Sequence, residues 1–94
     1  MTIEDVRKEI DRLDHDIVRL ISRRQELAVK IARIKISKGL PIHDEGRTTA
    51  MLESVFNRAV EYKIDPVSVQ KIFDVLIDMS EQRQRECSGE GNLP

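Results

Sequence analysis

The stretch IEDVRKEIDRLDHDIVRLISRRQELAVKIARIK, residues 3–35, decides the architecture. Its apolar residues stand at Ile3, Val6, Ile10, Leu13, Ile17 and Leu20, then at Leu27, Ile31 and Ile34. Alternating three-and-four spacing is the seam of a long helix that packs on another helix along its length. One position breaks the rhythm. The seam predicts an apolar residue at position 24, and the chain has Arg24. Arg7 and Lys35 lie just beside the seam at equivalent heptad positions. Three cations on or beside a buried stripe need anions to meet them.

Outward from that stretch, Thr2 is placed to cap the helix, with Asp5 at the third helical position and Glu4 beside it. Gly39 and Pro41 supply the stop. The helix is therefore about 35 residues, roughly 50 Å long. Gly39 to His43 reads as a loop, and Asp44 caps a second helix running from about Glu45 to Tyr62. Its apolar stripe is Met51, Leu52, Val55, Phe56, Ala59 and Val60, with Gly46 a poor residue for its first turn. Asp65-Pro66 is a strong start signal for a third helix that reaches about Cys87. Val69, Ile72, Phe73, Leu76 and Ile77 form its apolar face. The chain divides into a helical domain over residues 1–87 and a flexible tail over residues 88–94.

Totals agree with a small all-α protein. Among 94 residues, 39% are hydrophobic, 35% charged and only 3% aromatic, which suits a helical bundle rather than a sheet. A net charge of −1, with acids and bases interleaved, calls for neither nucleic acid nor an acidic membrane. No apolar run has the length of a membrane span, and the charged N-terminus, which has no apolar stretch, is not expected to act as a signal peptide. The single Cys87 cannot form an internal disulfide, which fits a cytoplasmic location. A helix of roughly 50 Å is too long for a compact domain whose radius of gyration is near 13 Å. Its own two shorter helices cannot cover the whole seam. The expected architecture is thus three helices, one long and two shorter, forming an intertwined homodimer.

Several residues do not fit a plain scaffold. Arg24 either sets the register of a coiled coil or faces a ligand. Lys35 lies roughly 16 Å further along the axis at nearly the same azimuth, so the two side chains can converge on one small anion. Arg7 is roughly 42 Å from Lys35 and can join it only across two antiparallel chains. Ser80 and Gln84 continue the apolar face of the third helix as hydrogen-bonding groups, or mark its fraying end. Asp44 and Arg47 either cap and decorate the second helix or face a site. Asp11 and His15 are four apart, but no further ligand set accompanies them, so no metal site is expected. His43 reads as an ordinary loop residue.

These residues resemble the small all-helical chorismate mutases. The matching text is VRKEIDRLD over residues 6–14, Leu20, RRQELA over residues 23–28, and Ile34-Lys35. It continues with PIHD over residues 41–44, Arg47, IDMS over residues 77–80, and Gln84. The resemblance implies an intertwined homodimer that rearranges chorismate to prephenate in phenylalanine and tyrosine biosynthesis, without cofactor or metal. It implies Arg24, Lys35 and Gln84 as catalytic residues. Asp44, Arg47, Thr48 and Ser80 would complete the substrate site, together with Arg7 contributed to the partner's site. Thr48 departs from the pattern, since the family often has Glu there to accept a hydrogen bond from the substrate hydroxyl; Thr accepts more weakly and without charge. Two rivals stand beside this reading: an isochorismate pyruvate lyase of the same fold, and a non-catalytic helical dimerisation module.

Overall fold

Thr2 opens the first helix with a reciprocal pair of bonds. Its hydroxyl accepts from the Asp5 amide at 3.2 Å, and the Asp5 carboxylate accepts from the Thr2 amide at 3.0 Å. Helix α1 (Ile3–Lys38) then runs unbroken for 36 residues. Gly39 ends it in the left-handed region, at φ 66°, where a side chain would be strained. The amides of Gly39 and Leu40 bond back to the carbonyls of Ile36 and Lys35. The computed structural model describes residues 1–89.

Asp44 caps α2 (Glu45–Glu61) by accepting from the Arg47 amide at 3.1 Å, and Gly46 is accommodated in the first turn. The helix stops one residue short of the expected end, with Tyr62 as its cap. Lys63 takes the left-handed conformation at φ 59°, a place that glycine usually fills. Asp65 caps α3 (Pro66–Ser88) through the Ser68 amide, and Pro66 occupies the first helical position. Gly89 closes α3 in the left-handed region. Helix α3 ends at Ser88, one residue past the expected Cys87, with Gly89 as its cap. The remainder of the expected tail, residues 90–94, lies outside the described residues.

Helix α3 is the middle element, packed on α1 along one side and on α2 along the other. The backbones of α1 and α2 stay apart, and a cavity occupies the space between them. Ala28 and Ala32 are the buried residues of α1, flanked by half-buried Ile21, Gln25 and Val29. Small side chains there let α3 approach closely. This is not the stripe that the periodicity picks out. All nine apolar seam residues of α1 are exposed, at 38 to 65%. The helix thus carries two stripes, a small-residue one used within the chain and a large-residue one left uncovered. Every residue from Met1 to Leu20 is exposed. The described chain is accordingly elongated, 54 × 26 × 22 Å, with a radius of gyration of 16.6 Å.

On α2 and α3 the expected faces hold at their centres, Ala59 and Ile77 being buried and Phe56, Phe73 and Leu76 half-buried. Val60 and Ile72, which belong to the same apolar faces, are exposed in the single chain. They flank those stripes, and three helices in a row cannot cover both flanks of each.

Candidate active site between α1 and α2

Four segments meet at the cavity: the C-terminal half of α1, the loop after it, the first two turns of α2, and the C-terminal half of α3. A chamber of about 430 Å³ is lined by Arg24, Lys35, Asp44, Arg47, Ser80 and Gln84, with Leu27, Ala28, Ile31 and Met51 as its apolar wall. It continues into a recess of about 70 Å³ that adds Ile42, Thr48, Ile77 and Glu81. The larger chamber lies within the size range of small-molecule sites.

The α3 side is set by Gln84, a polar side chain only 5% exposed. Its amide nitrogen donates to Ser80 Oγ at 3.0 Å, one helical turn back. Its Oε1 accepts from Lys35 Nζ at 2.7 Å. That bond fixes which end of the amide carries the oxygen. Lys35 Nζ also donates to the carbonyl of Ile42, tying the loop to α1. An ammonium has three donors, so one remains for a ligand. The amide of Gln84 likewise keeps one N–H.

Arg24 crosses the gap between the outer helices. One nitrogen donates to the Leu76 carbonyl on α3 at 3.1 Å, and another reaches Met51 Sδ on α2 at 3.3 Å. The remaining guanidinium donors face no protein acceptor. Burial pulls its pKa down from the ordinary guanidinium value, and the charge of nearby Arg47 adds to the effect. Arg24 therefore stands at the edge of the intrachain stripe, facing the cavity, rather than as a polar residue within a closed seam. Among the described residues none of Arg24, Lys35 and Arg47 is paired with a carboxylate. Asp44 does line the cavity, but one of its oxygens is engaged as the α2 cap.

The cavity thus gathers Arg24, Lys35, Asp44, Arg47, Thr48, Ser80 and Gln84, drawn from all three helices and the loop. Arg7 is not among them. It lies on the free half of α1, its side chain 65% exposed, 3.8 Å from Glu4. Residues 6–85 match the chorismate mutase type II family. The chain belongs to that family.

Three relatives illustrate the match. A chorismate mutase of Methanocaldococcus jannaschii is 32% identical over 84 residues, covering 89% of this chain and 85% of that protein. A 4-amino-4-deoxychorismate mutase of Streptomyces venezuelae is 29% identical over 75 residues, covering 80% and 73%. The T-protein of Haemophilus influenzae is 36% identical over 74 residues, or 79% of this chain, but the match spans only 19% of that longer protein. The type II fold thus accounts for the all-α architecture and the long first helix.

Sequence reasoning missed Glu81 and His43. Glu81 lines the recess with its side chain 14% exposed, bonded to His43 Nδ1. His43 Nε2 lies 2.8 Å from Glu45 Oε2. No local signal marks this contact, because its partners are 38 residues apart. Asp11 and His15 sit on the exposed half of α1, and no group of three metal-ligating side chains occurs among the described residues. No described helix is long and apolar enough to cross a membrane.

Proposed function

We propose that the chain, a chorismate mutase by family, rearranges chorismate to prephenate in this cavity and works as an intertwined homodimer in aromatic amino acid biosynthesis, in the cytoplasm. The observation that carries the reading is the trio of cations facing one cavity without a carboxylate partner. The protein leaves these cations without an ion-paired carboxylate, and a dicarboxylate supplies two negative charges.

The reaction is unimolecular and needs no nucleophile. The protein must hold the substrate in its compact reactive conformer and stabilise charge that moves to the ether oxygen as its bond breaks. Arg24 and the partner's Arg7 clamp the two carboxylates. Lys35 and Gln84 donate their spare N–H groups to the ether oxygen and a neighbouring carboxylate. Ser80 supports a carboxylate, and Arg47 adds positive field. Asp44 meets the ring hydroxyl, with Thr48 as a neutral helper. A charge-assisted hydrogen bond is worth roughly 1.5–3 kcal/mol, and a millionfold acceleration needs about 8 kcal/mol. Three or four contacts that tighten in the transition state are enough.

The uncovered seam supports the homodimer. An apolar stripe of this length on a monomer marks an interaction surface. Pairing two α1 helices antiparallel covers it and carries the partner's Arg7 toward the cavity. At the ring substituent the protein offers the Asp44 carboxylate and the neutral Thr48, so an amine in place of the hydroxyl, as in an aminated substrate, meets one carboxylate there rather than two. Incubation with chorismate and, separately, with isochorismate tests the reading by product. Prephenate from chorismate supports it; pyruvate release from isochorismate, with no prephenate, replaces it with the lyase; no turnover of either leaves a dimerisation module.

A further inference from the structure

Glu81 is out of place in a cavity that gathers cations. It sits between Ser80 and Gln84 in the wall of the recess, with little of its side chain exposed. A free carboxylate there repels a dicarboxylate ligand and cancels part of the field of Arg24, Lys35 and Arg47. The structure pairs it with His43, whose other ring nitrogen is held by Glu45 at 2.8 Å. Two carboxylates on one imidazole favour its doubly protonated form, in which both ring nitrogens donate.

We propose that His43 is a positioning residue for substrate binding: as an imidazolium bridging Glu45 and Glu81, it masks the Glu81 charge and keeps the cavity receptive to a dianion. The proposal rests on the dicarboxylate reading above. His43 also follows Ile42, whose carbonyl holds Lys35, so the same bridge anchors the loop. Glu45 faces the imidazole from α2 and Glu81 from α3, while Lys35 reaches the loop from α1 at the Ile42 carbonyl. Hydrogen bonds donated to Glu45 and then to Glu81, with the charge of Glu81, raise the imidazole pKa above its ordinary value, and desolvation opposes them. The charged form therefore dominates at lower pH and is lost as pH climbs through this raised value. Loss of the proton unmasks Glu81, and KM rises while kcat changes little.

Steady-state kinetics on chorismate, run from pH 6 to pH 9, separate charge masking from loop anchoring. His43→Ala raises KM about tenfold at neutral pH, equivalent to ~1.4 kcal/mol of binding. Adding Glu81→Gln to that variant restores KM to within about threefold of wild type, because no charge is left to mask. His43→Arg keeps a permanent cation and flattens the rise of KM with pH. An unchanged KM in His43→Ala, or a raised KM that Glu81→Gln does not restore, overturns the proposal. Where the wild-type protein does not turn over chorismate, the functional reading fails first. The pair is then judged by NMR titration of the His43 ring: a pKa that falls in Glu81→Gln sustains it, and an unmoved pKa overturns it.

Discussion

Lys35 on α1 and Gln84 on α3 stand 49 residues apart in the chain, yet the ammonium of one lies 2.7 Å from the amide oxygen of the other. The bond sets the two polar groups side by side in the cavity wall, with Ser80 and the Ile42 carbonyl holding the far ends. Each partner fixes the other's orientation before substrate arrives, which is the form of preorganisation that an electrostatic mechanism needs.

Lys35→Ala removes the cation assigned to the ether oxygen. Turnover of chorismate falls by about 10- to 150-fold or more, the equivalent of one charge-assisted hydrogen bond. The fold suffers less, because the Ile42 carbonyl belongs to a loop residue that is only half-buried and can bond water instead. Initial rates measured beside a urea denaturation curve give both numbers. A wild-type rate in Lys35→Ala removes this residue from the mechanism.

Arg24→Leu separates catalysis from scaffolding. The substitution relieves a desolvated guanidinium and its repulsion from Arg47, and places an apolar group beside Met51 and Leu76. Stability rises by about 1 kcal/mol while turnover drops about a hundredfold. If turnover survives and only stability changes, Arg24 is a register residue.

Arg7 is tested by complementation. Arg7→Ala and Lys35→Ala are each poorly active alone. Mixed, unfolded and refolded together, half of the dimers hold one chain of each kind, and one of their two sites has every residue intact. About a quarter of wild-type activity returns. No recovery means that Arg7 does not serve the partner's site.

Thr48→Glu introduces a carboxylate near the position assigned to the ring substituent. The ratio of kcat/KM for the aminated substrate over chorismate increases about tenfold, because an ammonium gains a charged partner. An unchanged ratio places the ring substituent away from Thr48.

Lys63→Gly checks the fold alone. The left-handed backbone at φ 59° strains a lysine but not a glycine. The variant gains about 1 kcal/mol in denaturant unfolding, with catalysis unaffected. A loss of stability instead means that the lysine side chain makes up for its backbone.

Where signals are local, the residues announce their structure. Thr2 with Asp5, Gly39, Asp44 and Asp65-Pro66 each fix a helix end through bonds to neighbours within a few residues, so the helices fall within one residue of expectation. The cations were legible for a related reason: Arg24 interrupts a period, and a broken period is visible in one dimension. The α1–α3 contact was not. It is made by Ala28 and Ala32, which are too small to register against the large residues of the seam. Nor was the His43–Glu81 pair, which depends on where a loop and a distant helix turn come to rest. Val60 and Ile72 show the same limit, since which flank of a stripe is covered depends on neighbours that periodicity does not specify.

The part of α1 from Ile3 to Leu20 is exposed along its whole length in the single chain. In the proposed homodimer that overhang is also what delivers Arg7. Specific activity, ordinarily indifferent to how much enzyme is in the tube, then becomes a function of dilution. Below the concentration at which two chains find each other, each protomer keeps its own cavity but lacks the arginine that closes it.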